Sequence, residues 1–463
     1  MKDELLALLT AVGQEHLVAF WDELDEARRS RLAGQIHDID FDLMARLYRG
    51  QEAEPDWAAL AAKAEPPPAF RLEGCCEELR LEGARRRGEA TLAGGKLAVI
   101  LVAGGQGTRL GFDHPKGMLP LGPVSGHSIF QLQIEKLIAV ANRYGSRIPL
   151  YLMTSPATHE ETIAYLVEHD RFGLPPDDLH VFCQAAMPAV DAKTGKVLLA
   201  GREAVSLSPD GHGGMVAALI GSGSLDDLKR RGIEQLFYMQ VDNPLTRVCD
   251  PVFVGYHLLS GSEMSTQVVA KTDPLEKVGN VVAIDGKLHI IEYSDLPGDA
   301  AQRRGEDGSL HLWAGNIAVH LFDIAFLDRV VAGEAALPFH RATKTVSYVD
   351  TSGQVVDPET LNAIKFERFI FDLLPSARHA IVQEVDKSQT FAPVKNANGA
   401  ARDTPATSQG AMVRLHSQWL RSAGARIEDG IAVEISPLFA LDSQELIGKI
   451  EPGTRLEEAT YLR

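Results

Sequence analysis

LVAGGQGTRLGFDHPKGMLPL, residues Leu101–Leu121, follows the apolar run Lys96–Ile100 and decides the fold. The run predicts a buried strand, and the stretch places a cluster of glycines, Arg109 and Lys116 where that strand ends. Glycine carries no Cβ, so a ligand can approach the backbone closely at such positions. The two cations indicate that this ligand is anionic.

Three kinds of phosphate-binding loop can follow a strand in this way. The dinucleotide fingerprint G-x-G-x-x-G needs a glycine where this chain has Leu110. The P-loop needs Gly-Lys-Ser/Thr, whereas Pro115-Lys116-Gly117 has the opposite order and no hydroxyl beside the lysine. A glycine turn followed by separate cations, Arg109 and Lys116, does fit. There the backbone N–H groups receive a base and phosphates while the side chains neutralise charge.

Composition excludes several classes of partner. The chain has 463 residues, of which 45% are hydrophobic and 24% charged, and its formal net charge is −17. That length predicts two or three domains. The acidic balance argues against nucleic-acid and anionic-membrane binding, because both need a basic surface. A small anionic ligand is compatible with it, because bulk charge is screened beyond roughly 8 Å.

The cysteines and the N-terminus predict a cytoplasmic protein. Cys75, Cys76, Cys183 and Cys249 have no C-x-x-C spacing and are interpreted as reduced thiols. The charged residues Met1–Glu4 contain no signal-peptide core. Apolar runs also fall short of the roughly 18 residues that a membrane span needs.

Alternating strands and helices predict an α/β fold. We expect strands at Lys96–Ala103, Ile148–Thr154, Leu179–Phe182 and Leu236–Val241. Helices are expected between them, one with Ser128 as N-cap and Phe130, Ile134, Leu137 and Ile138 on one face, another from about Thr158. This order predicts a mostly parallel sheet with helices on both faces, and ligands at the carboxyl ends of its strands.

Both ends of the chain differ from this pattern. Residues 3–50 are predicted to be helical, with Leu17, Phe20, Trp21 and Leu24 on one helical face, before a linker at Pro66–Pro68. Lys395–Gly410 is predicted to be an ordered loop, and short strands are expected from about Ile431. We therefore expect an N-terminal helical region and arm at 1–95, a catalytic domain at 96–385 and a small C-terminal domain at 386–463.

The signature stretch resembles that of the UTP-dependent sugar-1-phosphate uridylyltransferases (UDPGP type 1), in particular their UDP-N-acetylhexosamine pyrophosphorylase branch. The resemblance implies a Rossmann-like, GT-A-like nucleotidyltransferase sheet. Further motifs follow in the family's order over about residues 96 to 440: Phe182-Cys183-Gln184, Ser208-Pro209-Asp210-Gly211-His212-Gly213-Gly214, Val241-Asp242-Asn243, Ile291-Glu292-Tyr293-Ser294, Ala314-Gly315-Asn316, Ile364-Lys365-Phe366-Glu367 and Pro393-Val394-Lys395-Asn396.

The resemblance also implies a reaction and the residues for it. A sugar-1-phosphate oxygen attacks the α-phosphorus of UTP, and pyrophosphate leaves. The implied catalytic cations are Arg109, Lys116 and Lys395, and Asp242 is the implied ligand of Mg²⁺. The implied nucleotide-binding residues are Ala103, Gly104, Gly105, Gly107, Lys116, Gln184, Gly211, Asp242 and Lys365.

The sugar pocket has mixed character. Its implied residues are His212, Glu292, Tyr293, Asn316 and Lys395. The N-acetylglucosamine branch usually has Asn where this chain has His212, and the glucose branch has His. An imidazole is bulkier than a carboxamide and favours a free 2-hydroxyl, whereas the motifs around Glu292 and Asn316 resemble the N-acetyl branch. The overall resemblance favours N-acetylglucosamine-1-phosphate, with glucose-1-phosphate as the alternative.

Other functions compete with this hypothesis. A nucleotide-sugar-binding regulator without turnover would keep the fold, but it would not need Arg109, Lys116 and Asp242 together. A nicotinamide-dependent dehydrogenase is disfavoured by Leu110 in the fingerprint. An adenylyl- or guanylyltransferase is the nearest chemical rival, and replacing UTP by ATP or GTP distinguishes it.

Overall fold

The computed structural model describes residues 1–51, 56–72, 77–334 and 337–463, which fold into two compact units. Unit 1 comprises the described residues of Met1–Pro55, Gln184–Ala217 and Ala336–Asp372. Unit 2 comprises those of Asp56–Cys183, Ala218–Ala335 and Leu373–Arg463. The division into 1–95, 96–385 and 386–463 stays a prediction. Of the cysteines, Cys75 and Cys76 lie outside the described residues.

Helices occur in both units, and within the described ranges none is long and apolar enough to cross a membrane. Cys183 and Cys249 are free thiols, as predicted. The α-helices are α1 (Lys2–Ala11), α2 (Glu26–His37), α3 (Phe41–Tyr48), α4 (Trp57–Lys63), α5 (Glu77–Ala93), α6 (Ile129–Tyr144), α7 (His159–Glu168), α8 (Met215–Gly221), α9 (Ser224–Arg230), α10 (Pro251–Leu259), α11 (Gly298–Ala301), α12 (Ile324–Arg329), α13 (Lys387–Thr390), α14 (Pro405–Ser422) and α15 (Ser443–Leu446).

The strands are shorter than the helices on average. They are β1 (Ala69–Phe70), β2 (Leu97–Val102), β3 (Leu150–Thr154), β4 (Leu179–Cys183), β5 (Ala186–Pro188), β6 (Val190–Asp191), β7 (Leu199–Gly201), β8 (Ala204–Val205), β9 (Leu207–Pro209), β10 (Gln235–Gln240), β11 (Met264–Ala270), β12 (Asn280–Ile284), β13 (Lys287–Ile291), β14 (Ala314–Asp323), β15 (His340–Lys344), β16 (Tyr348–Val349), β17 (Val355–Val356), β18 (Ala363–Glu367), β19 (Ala380–Glu384), β20 (Arg426–Ile427), β21 (Val433–Ile435), β22 (Arg455–Leu456) and β23 (Thr460–Leu462).

Unit 2 is built on a ten-stranded sheet, counted over the described residues. Its main strand order is β1-β19-β11-β14-β10-β2-β3-β4. Strand β14 runs antiparallel to β10 and β11, and the other neighbours in this order are parallel. The predicted mostly parallel α/β sheet is therefore confirmed, and the four predicted strands are β2, β3, β4 and β10.

Helices cover both faces of this sheet. On one face, Val99 and Leu101 of β2 pack in a core with Phe130 and Ile134 of α6. Ser128 caps α6 as predicted, because its Oγ accepts a hydrogen bond from the backbone N–H of Gln131 at 3.2 Å. On the opposite face, the Tyr151 hydroxyl of β3 donates to Asp227 of α9 at 2.5 Å.

Unit 1 buries the apolar side chains of its N-terminal segment against short strands. Leu17, Phe20, Trp21 and Leu24 are all buried, as the periodicity predicted. The prediction of one helical face is wrong, however, because this segment forms two 3₁₀ turns, at Glu15–Val18 and Trp21–Glu23. Isolated short turns can bury the same side chains, so spacing alone did not distinguish them from an α-helix.

The C-terminal part of unit 2 contains the predicted short strands, which pair as β20 with β22 and β21 with β23. The predicted loop Lys395–Gly410 is too long, because α14 already begins at Pro405. Thr404 and Thr407 form a reciprocal capping box there, and the proline occupies the first helical position.

A buried carboxylate joins this C-terminal part to the segment after the signature stretch. Glu434 of β21 is 1% exposed. It accepts hydrogen bonds from the backbone N–H groups of Val124 and Ser125 at 2.8 and 2.7 Å, and from the Ser125 hydroxyl at 2.8 Å. These bonds fix the tip of the hairpin that runs from Leu119 back to Ile129.

We predict that Glu434→Ala lowers the free energy of unfolding by about 2–4 kcal/mol, since two backbone N–H groups and one hydroxyl lose a buried acceptor. Urea denaturation measures this change. Glu457→Ala is the matched control, because Glu457 is exposed and its removal is expected to cost less than about 0.5 kcal/mol. Equal stability of the Glu434 and Glu457 variants would contradict the prediction.

Candidate active site

The register between β2 and β10 places the signature loop beside Asp242. The strands are parallel, with Gln240 opposite Val102, and the backbone N–H of Val241 donates to the Val102 oxygen at 3.0 Å. Carboxyl ends of parallel strands lie at the same edge of a sheet. Ala103 follows β2 directly and Asp242 comes two residues after the end of β10, so both lie at this edge of the sheet.

The signature loop is closed by its own backbone. The Lys116 N–H donates to the Gly105 oxygen at 3.0 Å, and the Gly107 N–H donates to the His114 oxygen at 2.8 Å. At the base of the loop, the Ser155 hydroxyl donates to the Gly104 oxygen at 2.7 Å. Lys116 therefore stands on a loop whose two arms and base are all tied by hydrogen bonds.

Two glycines of the loop are required by packing. A Cβ at Gly107 would lie 2.6 Å from the Phe112 oxygen, and one at Gly117 would run into the ring of Phe130. Gly105 differs, because a Cβ there would meet only the Lys116 side chain, at 3.9 Å. Gly105 therefore leaves the backbone open on the side where Lys116 lies.

Lys116 and Asp242 are brought together as a pair. Their Nζ and Oδ2 atoms are 3.8 Å apart, and the side chains are only 19% and 14% exposed. This separation is longer than a hydrogen bond, so each group keeps capacity for a further ligand. Arg109 is exposed on the 3₁₀ turn Thr108–Leu110. Within the described part of the chain it makes no hydrogen bond or ion pair, either to this pair or elsewhere.

Asn243 links the loop after β10 to the segment that leads to Lys395. Its side-chain nitrogen donates to the Thr390 oxygen at 2.8 Å, and its oxygen accepts from the Ala392 N–H at 3.0 Å. The Val394 N–H also donates a hydrogen bond to the main-chain carbonyl oxygen of Asp242 at 2.9 Å. Lys395 follows directly and is exposed, with its ammonium 6.0 Å from the centre of the Phe391 ring.

Two of the predicted sugar-binding residues, Glu292 and Asn316, lie close to Gly279. A Cβ at Gly279 would come within 2.9 Å of a Glu292 carboxylate oxygen and 3.7 Å of the Asn316 Cβ. The backbone N–H of Asn316 donates to the Gly279 oxygen at 2.8 Å. Tyr293, by contrast, is 48% exposed. Because a Cβ at position 279 would also lie 2.8 Å from the Ile290 side chain, packing requires glycine beside these polar residues.

A β-bulge in β14 sets the direction of Asn316. Opposite β11 the pairing jumps from His320 with Thr266 to Asn316 with Val268. Inside the bulge Ala318 has a φ of 56°, and its N–H donates to the Asn316 side-chain oxygen at 3.0 Å. Bulges commonly redirect a side chain at a functional site.

In unit 1, Gln184 and the glycines after Asp210 form a separate group. The Gln184 amide nitrogen donates to Asp210 at 3.0 Å and to the Gly211 oxygen at 3.1 Å. Asp210 is fully buried and accepts a hydrogen bond from Arg368 at 2.6 Å. Gly211 has a φ of 83°, and a Cβ there would lie 2.7 Å from the Arg368 nitrogen. Glycine is thus required at 211 by the backbone itself.

His212 is held as a neutral imidazole in the same unit. Its Nδ1 accepts a hydrogen bond from the Ile370 N–H at 3.2 Å, and its ring stacks on Phe369. Burial, with a smaller effect of His340, lowers the pKa of His212 to about 4. Because Nδ1 is the acceptor, Nε2 carries the proton. Lys365 is half-buried on β18.

These features agree with comparisons to known proteins. A sequence profile described as "UTP--glucose-1-phosphate uridylyltransferase" matches residues 58–435. The chain belongs to this uridylyltransferase family. It is 39% identical over 446 residues to the human UDP-N-acetylhexosamine pyrophosphorylase-like protein 1, covering 92% of this chain and 87% of the relative.

Two further relatives of this uridylyltransferase carry more specific names. The UDP-N-acetylglucosamine pyrophosphorylase of Saccharomyces cerevisiae is 38% identical over 369 residues, covering 78% of this chain and 77% of the relative. The crystal structure of the UDP-N-acetylglucosamine pyrophosphorylase from Trypanosoma brucei matches with a TM-score of 0.82 and 26% identity, covering 100% of this chain and 98% of that one. The expected family and fold are thus confirmed.

The implied metal ligand of this uridylyltransferase is Asp242. Across the described ranges, no group of three or more His, Cys, Asp or Glu side chains is arranged to hold a metal ion. Asp242 belongs to no such group there, and its carboxylate lies 3.8 Å from the Lys116 ammonium. Such a site resembles one in which a metal is shared with bound phosphates, because magnesium commonly takes only one or two protein carboxylates.

Sequence reasoning missed three residues that organise the site. Ser155 anchors the signature loop, Asn243 joins two loops, and Gly279 makes room for the Glu292 carboxylate next to Asn316. Asn243 lies within a motif that the sequence had singled out, and Ser155 directly follows a predicted strand. Their positions in a motif and after a strand could have indicated that both residues belong to the site. Gly279 had no such indication, because its importance arises from the pairing of β12 with β14.

We predict that His212 makes the fold sensitive to acid. A histidine whose pKa falls from 6.5 in the unfolded chain to about 4 in the fold binds its proton more readily when unfolded. Its contribution to stability is therefore complete above pH 6.5 and is lost as the pH falls towards 4. Urea denaturation between pH 7 and 4.5 measures how the free energy of unfolding falls with pH. In His212→Asn this fall should be less steep than in wild type, by up to about 1.4 kcal/mol per pH unit.

The exposed His379 supplies the matched control, His379→Asn, which should keep the wild-type pH dependence. A stability difference between wild type and His212→Asn that stays constant over this pH range would contradict the prediction.

Proposed function

We propose that the chain catalyses uridylyl transfer from UTP to a hexose-1-phosphate, with N-acetylglucosamine-1-phosphate as the favoured acceptor. The observation that carries the proposal is the half-buried Lys116–Asp242 pair, which lies at the carboxyl ends of β2 and β10. Membership of the uridylyltransferase family supports the same chemistry. The signature loop also supports it, because its backbone is held by hydrogen bonds and it carries the exposed Arg109.

The reaction places demands on charge and position. An oxygen of the sugar phosphate attacks the α-phosphorus of UTP, and the bond from that phosphorus to the leaving pyrophosphate oxygen breaks. Both reactants are anions, so catalysis depends mainly on cations and on rigid alignment. Lys116 is held by its loop and receives the developing charge. Arg109 and Lys395, both exposed, neutralise the outer phosphates.

Asp242 is the residue that would hold Mg²⁺. When bound, the metal would offset negative charge on the phosphates of both substrates. A single carboxylate near a lysine is a weak metal site by itself, because the ammonium opposes a second cation. UTP phosphates would therefore have to supply the remaining oxygen ligands.

We propose that the nucleotide-binding residues implied by the sequence contact UTP. In unit 2, Ala103, Gly104, Gly105 and Gly107 belong to a loop whose backbone is closed by its own hydrogen bonds. In unit 1, Gln184, Gly211 and Lys365 are proposed to contact the nucleotide. The Gln184 carboxamide is already oriented by Asp210, which suits recognition of a base edge.

The sugar preference is proposed from two kinds of observation. Glu292 and Asn316 both lie close to Gly279, and both can hydrogen-bond to hydroxyl or acetamido groups. Relatives named for N-acetylglucosamine match most of the chain. His212 favours the alternative acceptor, glucose-1-phosphate, because its imidazole is bulkier than an amide. The location in the cytoplasm and the absence of nucleic-acid and membrane partners stay predictions.

The proposal predicts pyrophosphate release from UTP, Mg²⁺ and N-acetylglucosamine-1-phosphate. A panel with glucose-, galactose- and N-acetylgalactosamine-1-phosphate, repeated with His212→Asn, identifies the acceptor. ATP and GTP in place of UTP should be poor donors. Lys116→Ala should lower kcat by about 100-fold or more, since it removes a preorganised donor to the transition state.

Lys193→Ala, which changes an exposed lysine of unit 1, serves as the control and should retain wild-type activity. Release of no pyrophosphate from any acceptor in the panel would sink the proposal. UTP binding in calorimetry without product would instead indicate a nucleotide-sugar-binding regulator.

A further inference from the structure

Helix α6 contacts both loops that carry the proposed phosphate-binding groups. At its first turn, the Ile129 N–H donates to the Leu119 oxygen at 3.1 Å, and Phe130 packs directly under Gly117. The helix therefore begins against the loop that presents Lys116. Its following turns face the loop after Asp242.

Two side chains of α6 donate to the backbone of that second loop. The Gln133 amide nitrogen donates to the Asn243 oxygen at 2.8 Å, and Gln133 is 1% exposed. The Lys136 ammonium donates to the Pro244 oxygen and, at 3.1 Å, to the Thr246 oxygen. The carbonyl groups on both sides of Leu245 are thus bound by one side chain.

Burying the charged Lys136 side chain costs more free energy than a purely structural contact would require. Burial disfavours its charged form and lowers the pKa of Lys136 to about 7. Within the described part of the chain no carboxylate forms an ion pair with it. Carboxylates that line the same cavity are engaged by other groups: Asp442 by Arg143, Glu384 by Arg71, Asp386 by the Ser388 N–H and Asp250 by the Val252 N–H.

An apolar side chain of similar length would fill this place at a lower cost in free energy. What a lysine adds at position 136 is therefore the pair of hydrogen bonds to the Pro244 and Thr246 carbonyl groups. Since these carbonyl groups follow Asp242 by two and four residues, whatever fixes them also limits where the Asp242 carboxylate can lie.

We propose that Lys136 is a positioning residue, which fixes the loop after Asp242 through the Pro244 and Thr246 carbonyl groups and so sets the Asp242 carboxylate relative to Lys116. Because α6 also carries the loop of Lys116, the helix holds both members of the pair to one rigid element. The inference rests on the proposed uridylyl transfer. Misplacing a reacting group by about 1 Å can cost about 100-fold in rate.

Lys136→Met tests the proposal, because methionine keeps the apolar stem and loses all three N–H donors. We expect kcat to fall 10- to 100-fold and the Mg²⁺ concentration for half-maximal activity to rise at least 5-fold. The KM for the sugar phosphate should change less than 2-fold. The thermal midpoint without ligands should stay within about 3 °C of wild type.

A readout independent of turnover is the increase in thermal midpoint that UTP and Mg²⁺ produce together, which follows their affinity for the folded chain. This increase should be at least halved in Lys136→Met. Lys136→Arg should restore most of the activity, since a guanidinium can reach both carbonyl groups and the adjacent cavity of about 580 Å³ has room for it. Lys229→Met, on the surface, is the matched control.

Wild-type kinetics and wild-type ligand stabilisation in Lys136→Met would overturn the positioning role while leaving the proposed function intact. A large loss of ligand-free stability, with no rescue by arginine, would also overturn it in favour of a purely structural role. Inactivity of the wild-type protein in the acceptor panel would instead contradict the proposed function itself.

Discussion

The parallel pairing of β2 with β10 is the constraint on which the site depends. Six consecutive residues of β2 pair with β10, and the Val241 N–H adds a bond to the Val102 oxygen beyond the last pair. Both strands are almost entirely buried, so a shift of one residue would turn their side chains to the wrong face. The register therefore fixes where the signature loop and Asp242 leave the sheet, and with them the Lys116–Asp242 separation.

Local charge, rather than net charge, governs what this edge can bind. The chain as a whole is strongly acidic, at −17, yet the loop after β2 contributes the cations Arg109 and Lys116, and the segment after β19 contributes Lys395. The partial burial of Lys116 weakens screening by water, so its attraction for a phosphate exceeds that of a fully exposed lysine. Asp242 prevents the edge from being purely cationic, and it is the carboxylate that we propose would hold a metal.

Much of the central sheet and of the candidate site could be predicted from the sequence, because apolar runs indicate buried strands and the site lies at the carboxyl ends of those strands. The signature loop and Asp242 were found in this way. Long-range pairing was not accessible: Asn243 meets Thr390 and Ala392 almost 150 residues later, and nothing local indicates it. Periodicity also failed near Trp21, since two 3₁₀ turns bury the same side chains as an α-helix.

We propose that Lys116 and Asp242 together hold the UTP phosphates with a divalent metal. Anomalous diffraction from Mn²⁺ in a crystal grown with UTP tests this proposal most directly. We expect Mn²⁺ bonded to an Asp242 carboxylate oxygen and to a UTP phosphate oxygen, with the Lys116 ammonium hydrogen-bonded to the same phosphates. Mn²⁺ and UTP bound away from Asp242, or a triphosphate that contacts neither residue, would contradict it.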